Sequence, residues 1–218
     1  MINPAIVRRA RAHLRRVDPV IADVMVSVGA YKPADRAGGS HMHALIRAIV
    51  FQQLSGKAAT TIHNRFLDLY PGRAPAPADI LATPDANLRV AGLSRQKIGY
   101  LRDLAAKVQS GALPLDHVDT LADAALIEHL VQVKGIGKWT AQMFLMFRLG
   151  RPDVLPDLDL GIQNAIKRAY RKRKVTPKDV LRIGAKWTPY SSIACWYLWR
   201  SLDNGGGQMG SAKKAKKK

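Results

Sequence analysis

Apolar residues recur three and four positions apart along almost the whole chain. Between Arg95 and Ser110 the spaced positions are Ile98, Leu101, Ala105 and Val108, with Arg102 and Lys107 between them, the stripe that an amphipathic helix buries. No stretch shows the period-2 alternation of a half-buried strand, so the expected fold class is all-α. The spacing predicts helices over Ala5–Arg15, Val20–Val28, His43–Leu54, Lys57–Tyr70, Asp79–Ala82, Asp85–Ala91, Arg95–Ser110, Leu121–Leu130, Lys138–Leu149, Leu160–Tyr170, Pro177–Trp187 and Tyr190–Leu202. Thr83-Pro84 and Thr176-Pro177 read as an N-cap followed by proline in the first turn. Asp179 completes a capping box with Thr176, and Thr120 with Asp123 offers another. Lys138–Leu149 is apolar on nearly every side, which predicts a buried central helix. Gly72 to Pro77 reads as a loop and Gly205-Gly206-Gly207 as the start of a flexible tail.

Charge changes the picture. The chain has 218 residues, with 35 Lys and Arg against 16 Asp and Glu, a net charge of +19. Five lysines lie between Gly205 and Lys218, and without them the balance is still +14. The basicity belongs to the folded body and points to a polyanionic partner, nucleic acid first. Cys195 is the only cysteine, which excludes a disulfide framework, a cysteine zinc site and a four-cysteine iron–sulfur cluster. No apolar run reaches the roughly 20 residues of a membrane helix, and no signal-type apolar core follows the N-terminal arginines. The expectation is a cytoplasmic, nucleoid-associated protein without membrane contact.

The chemistry concentrates between Leu130 and Ile162. Two helix patterns flank Val133-Lys134-Gly135-Ile136-Gly137. Paired glycines permit a tight hairpin and close backbone approach by a partner. The helix that follows starts with unpaired N–H groups and a positive dipole end, which suit a phosphate. Lys134 and Lys138 add full charges beside them.

This segment resembles the helix-hairpin-helix DNA glycosylases, and within them the 3-methyladenine DNA glycosylase II branch in its compact form without an N-terminal sheet domain. The matching residues are the hairpin Val133 to Ala141, the loop Asp153-Val154-Leu155-Pro156 through Asp159-Leu160-Gly161, and Phe51-Gln52-Gln53-Leu54-Ser55. Gly92-Leu93-Ser94 with Lys97, Trp187-x-Pro189 and Tyr197-Leu198-Trp199 also match, so the likeness covers roughly residues 40 to 202. The resemblance implies a two-lobed helical fold with the active site in the cleft between lobes. It places N-terminal helices at 1–41, a central domain at 42–151 with the hairpin unit at 121–149, and catalytic-loop and C-terminal helices at 152–204. A disordered basic tail would follow at 205–218.

By resemblance, Asp159 is the catalytic carboxylate. Breaking an N-glycosidic bond builds positive charge on the sugar, which a nearby carboxylate stabilises. From position alone Asp159 reads equally as the N-cap of the helix at Leu160, and the two roles are compatible. Relatives that also cut the strand carry a lysine nucleophile where this chain has Trp139. Lys138 is one residue early, about 100° around the helix, so the chemistry expected is hydrolysis by water. Trp139 and Trp199 fall where this branch lines its base pocket, with Phe51, Met143 and Leu160; core packing is the other reading of Trp139. Met143 and Leu160 stand where some relatives have tyrosines, and Ser191 where arginine is common before the matched Ser192.

The resemblance further implies phosphate contacts by Lys134, Gly135, Gly137, Lys138 and Thr140. It implies a wedge at Gln53 or Leu54 to fill the gap left by a flipped base. A structural Na⁺ or K⁺ on the backbone carbonyls of Val131, Val133 and Ile136 is a family expectation, and no cofactor is required. The partner implied is double-stranded DNA carrying alkylated bases, bound by a monomer. Two competing readings are a non-catalytic helix-hairpin-helix DNA-binding module and a bifunctional glycosylase/lyase. His41 and His43 lack the partners of a metal site. The basic run at Arg168 and Arg171–Lys174 reads as a solvated helix end or an extra DNA contact.

Overall fold

Helix starts follow from side chains that replace the missing backbone partners of a first turn. Asn3, Asp18, Ser40, Ser55, Ser94, Asp159 and Thr176 each accept a main-chain N–H there, an interaction typically worth about 1 kcal/mol. The computed structural model describes residues 2–32 and 39–203, and those residues form helices with no strand. The helices are α1 (Pro4–Val17), α2 (Pro19–Val28), α3 (His41–Phe51), α4 (Gly56–Asp68), α5 (Pro77–Ala82), α6 (Asp85–Val90), α7 (Arg95–Gln109), α8 (Asp123–Val131), α9 (Lys138–Phe147), α10 (Leu160–Ala169), α11 (Pro177–Gly184) and α12 (Ser191–Asp203). Single 3₁₀ turns occupy Leu115–His117 and Ala185–Trp187. Among the described residues no helix is long and apolar enough to cross a membrane. The tail expected at 205–218 lies outside the described residues.

Four local expectations change. The capping box at Thr176 and Asp179 forms, but Thr120 does not cap α8, whose N-cap is Ala122. Thr120 instead donates its hydroxyl to the His117 carbonyl. Thr83 ends α5 rather than starting α6, because its hydroxyl bonds back to the Asp79 carbonyl at 2.7 Å and pairs with the Tyr70 hydroxyl. The helix expected to run to Leu54 stops at Phe51. The helix expected to reach Trp187 tightens to 3₁₀ at Ala185.

The chain divides into two compact units, Met1–Arg36 with Leu145–Lys218, and Ala37–Phe144. The second boundary falls inside α9 rather than after Arg151. Phe147 gives the reason: its ring meets Trp199 of the first unit at 5.7 Å. In that first unit α12 is buried from Ser191 to Trp199, packing on α2 and α10. Asp18, fully buried, ties the unit together. Its Oδ1 caps α2, while Oδ2 accepts from the Tyr170 hydroxyl, the Trp187 indole at 2.8 Å and Lys186 at 3.2 Å. Burial pushes this carboxyl up, but the bonds outweigh it and hold the group below the ordinary carboxylate range.

In the second unit α7 packs on α5, and α3 on α4 and α7. Arg102 on α7 closes the end of α5, donating to the carbonyls of Leu81 and Thr83 at 2.8 and 2.9 Å. That fixes α7, which organises the hairpin.

Candidate active site and nucleic-acid interface

The hairpin joins α8 to α9 within the second unit. The Ile136 N–H donates to the Val133 carbonyl at 3.0 Å, closing the turn. Gly135 has φ +84°, and a Cβ there would come 2.2 Å from the Tyr100 ring. Glycine is therefore required twice over, by backbone conformation and by space. The Lys134 N–H donates to Asp103 Oδ2 at 2.8 Å. Burial raises the Asp103 carboxyl, but Lys107 and the Lys134 N–H outweigh it and hold the group low. Lys134, Gly135, Gly137 and Lys138 are exposed, whereas Thr140 is buried. The Thr140 side chain is therefore not part of the exposed hairpin surface, and its main-chain N–H lies in the first turn of α9.

The end of α3 leads directly to the hairpin. Gln52 Nε2 donates to the Gly135 carbonyl at 2.7 Å. Lys97 Nζ donates to the Val50 and Gln52 carbonyls at 2.7 and 2.9 Å, and burial draws its ammonium down. Gln53 then adopts φ 57°, a left-handed conformation that costs a side-chain-bearing residue roughly 1–2 kcal/mol. Gln53 and Leu54 are both exposed, so the helix ends early because Lys97, distant in sequence, captures its last carbonyls. Sequence reasoning missed Gln52; the only hint was its place in the Phe51–Ser55 motif.

Asp159 lies in the first unit and is 8% exposed. It caps α10, accepting the Ile162 N–H on Oδ1 at 2.8 Å, and the same oxygen accepts the Trp199 indole N–H at 2.9 Å. Gly161 makes the pair possible: a Cβ there would come 2.9 Å from Asp159 Oδ1 and 3.0 Å from Trp199 Nε1. The loop before Asp159 is held from α12. Asp153 Oδ1 accepts from the Ser191 N–H and hydroxyl at 3.0 and 2.5 Å, and Ser192 Oγ bonds the Arg151 carbonyl and the Val154 N–H. Ser191 thus anchors the loop through Asp153. Asp157 is buried, and its carbonyl accepts from Gln163 at 3.0 Å. Burial, with Asp159 and Asp153 nearby, pushes the Cys195 thiol up, so it remains protonated and inert.

A model of the HhH-GPD superfamily of base excision DNA repair proteins matches residues 46–190. The chain belongs to that superfamily. Among similar proteins, DNA-3-methyladenine glycosylase 1 of Schizosaccharomyces pombe is 36% identical, over 88% of this chain and 86% of that protein. A putative DNA-3-methyladenine glycosylase of Bacillus subtilis is 35% identical, over 74% of this chain and 58% of its own length. The solved S. pombe 3-methyladenine DNA glycosylase in complex with abasic DNA superposes with a TM-score of 0.79, covering 88% of this chain and 95% of that one. A Bacillus halodurans DNA-3-methyladenine glycosidase superposes with a TM-score of 0.80, covering 88% of each chain at 35% identity.

The HhH-GPD residues named from sequence divide between the units. Asp159, Leu160 and Trp199 belong to the first; Phe51, Gln53, Leu54, the hairpin, Trp139 and Met143 belong to the second. Trp139 is 43% exposed, against the core-packing reading. Trp199 is buried, with its N–H on Asp159 and its ring on Phe147, so it positions the carboxylate. Leu160 is 73% exposed. Arg47 lies 3.8 Å over the Phe51 ring, so that face of Phe51 is already covered. Among the described residues no cluster of His, Cys, Asp or Glu could hold a metal ion. The hairpin carbonyls are a different kind of donor. Val133 spends one lone pair on Ile136, and a carbonyl has a second, the neutral oxygen chemistry that a monovalent cation takes.

Proposed function

We propose that this HhH-GPD protein is a monofunctional DNA glycosylase that turns an alkylated base out of duplex DNA and releases it by hydrolysis. The single observation carrying the catalytic assignment is Asp159: a buried carboxylate with one oxygen fixed by the Ile162 N–H and the Trp199 N–H. As the glycosidic bond stretches, positive charge develops on the sugar. A carboxylate already oriented needs no reorganisation to oppose that charge, and such preorganised groups contribute about 10²–10³-fold to rate. Asp159 also orients the attacking water. Trp139 stands where a Schiff-base lysine would be needed for strand cleavage, so water is the nucleophile.

The class of base is supported by the relatives, named for 3-methyladenine. Purines alkylated at N3 or N7 carry positive charge and leave readily. Trp139 is 43% exposed, and an indole ring suits a cation, an attraction of roughly 0.5–2 kcal/mol. DNA binding is supported by the similar glycosylase solved with abasic DNA and by the exposed Lys134 and Lys138 beside Gly135 and Gly137. Gln53 or Leu54 fills the vacated stack. The carbonyls of Val131, Val133 and Ile136 would hold Na⁺ or K⁺, supplying positive charge toward a phosphate. Each chain carries its own Asp159 and hairpin, so a monomer suffices, and it works on nucleoid DNA in the cytoplasm.

The test is incubation with methylated duplex, followed by separation of free bases and by gel analysis with and without alkali. The expected result is free 3-methyladenine and 7-methylguanine, with strand breaks only after alkali. Binding without base release would favour the non-catalytic module. Breaks without alkali would establish a lyase.

A further inference from the structure

One face of α7 touches both the hairpin and the turn after α3. Lys97, Tyr100 and Asp103 follow at intervals of three, which places them on neighbouring turns of one helical face. Lys97 holds the Val50 and Gln52 carbonyls at 2.7 and 2.9 Å. Tyr100 packs against Gly135, and Asp103 accepts the Lys134 N–H at 2.8 Å. Gln52 closes the circuit by donating to the Gly135 carbonyl at 2.7 Å. Between these fixed points Gln53 is left in its left-handed conformation with an exposed side chain. A strained residue between two anchored neighbours persists only where the surroundings over-determine it.

We propose that Lys97 and Gln52 are positioning residues that hold the Gln53–Leu54 turn in register with the hairpin, so that gripping phosphates and displacing a base are mechanically linked. The inference rests on the glycosylase reading, in which Gln53 or Leu54 is the wedge. Neither Lys97 nor Gln52 touches the reacting atoms. Lys97 acts through two carbonyls, and Gln52 acts through one carbonyl of the hairpin. A lesion base that is stacked and paired requires the wedge. A lesion already unpaired, opposite an abasic site, requires it far less. The two substrates therefore separate wedge positioning from chemistry.

The variants are Lys97→Met, which keeps the stem and removes the donor, Lys97→Arg, which keeps a donor, and Gln52→Leu. The reading is the ratio of single-turnover base release from paired and from unpaired lesions. The proposal expects that ratio to fall about tenfold for Lys97→Met, the scale of one lost charge-assisted bond, to fall several-fold, about 3- to 10-fold, for Gln52→Leu, the scale of one lost neutral bond, and to recover for Lys97→Arg. An unchanged ratio, or equal losses on both substrates, overturns it. If Lys97→Met fails to fold by circular dichroism, Gln52→Leu in the turn decides alone. A second measurement needs no excision: 2-aminopurine beside an abasic-site analogue brightens when the wedge opens the stack. Wild-type brightening without base release would defeat the glycosylase reading and leave the wedge reading standing. Equal brightening by wild type, Lys97→Met and Gln52→Leu would defeat the positioning roles of Lys97 and Gln52 and leave the glycosylase reading untouched.

Discussion

Gly161→Ala perturbs the catalytic carboxylate through one methyl group. Its Cβ would meet Asp159 Oδ1 at 2.9 Å and Trp199 Cδ1 and Nε1 at 3.0 Å. Both partners are buried, so neither can swing into solvent. For Asp159 to yield, it must loosen the 2.8 Å bond from Ile162 or the 2.9 Å bond from Trp199. A hydrogen bond to a charged group contributes about 1.5–3 kcal/mol, which corresponds to roughly 10–100-fold in rate if it is lost in the transition state. Stability should change less. Overpacking costs about 1–3 kcal/mol, while replacing a helical glycine by alanine returns up to about 1 kcal/mol. Gly99→Ala is the control, because it sits within α7 with nothing within 4 Å of its Cβ. Single-turnover release of 7-methylguanine and thermal melting are measured on both. The expected outcome is a 10–100-fold slower Gly161→Ala with a modest melting loss, and an unimpaired, slightly more stable Gly99→Ala. A Gly161→Ala enzyme at wild-type rate would refute the claim that Trp199 and Ile162 fix the reactive geometry.

Other outcomes follow from the hairpin and the core. Gly135→Ala should lower both melting temperature and DNA affinity, and adding Tyr100→Ala should recover part of the melting loss by removing the 2.2 Å contact, while the positive φ remains; strictly additive losses in a double-mutant cycle would contradict the clash. Lys134→Ala should weaken binding to every duplex alike and reduce the salt slope by about one unit, measured by titration of an abasic-site duplex; an unchanged slope removes this lysine from the phosphate grip. His63 is buried, and desolvation, with His43 and Arg47 nearby, lowers it from 6.5 to about 4. The folded state therefore binds this proton more weakly than the unfolded chain. Its contribution is complete above pH 6.5 and is lost as pH falls toward 4, on the scale of about 1.4 kcal/mol per pKa unit. Melting followed across that window should be flatter for His63→Gln than for wild type, and identical slopes would contradict the assignment.

Helix identity was legible because each stripe of apolar residues must be buried and each start carries its own cap, as Thr176 with Asp179 shows. Helix ends were less so, because their partners are remote. Phe51 ends α3 because Lys97 takes the Val50 and Gln52 carbonyls, a contact no local pattern announces. Thr83 and Thr120 look like caps in sequence, yet their hydroxyls bond backward to Asp79 and His117. The site follows the same division. Asp159 and the glycine hairpin stand out as motifs, since cap and turn chemistry is local. The bond from Trp199 spans 40 residues and that from Gln52 to Gly135 spans 83, and both emerge only from packing. The sequence alone presents Trp199 as a pocket aromatic; packing adds its support of Asp159 through the indole N–H.

The most direct test of the central claim is single-turnover base release by Asp159→Asn. Asparagine keeps the volume and the ability to cap α10, and its oxygen can still accept from Trp199, so melting and affinity for an abasic-site duplex should match wild type. Only the negative charge is lost. The account predicts at least about a hundredfold fall in 7-methylguanine release, the scale of removing a preorganised electrostatic partner. Release at near wild-type rate by a fully folded Asp159→Asn would contradict it and move the search to Asp157, the other buried carboxylate of the same loop.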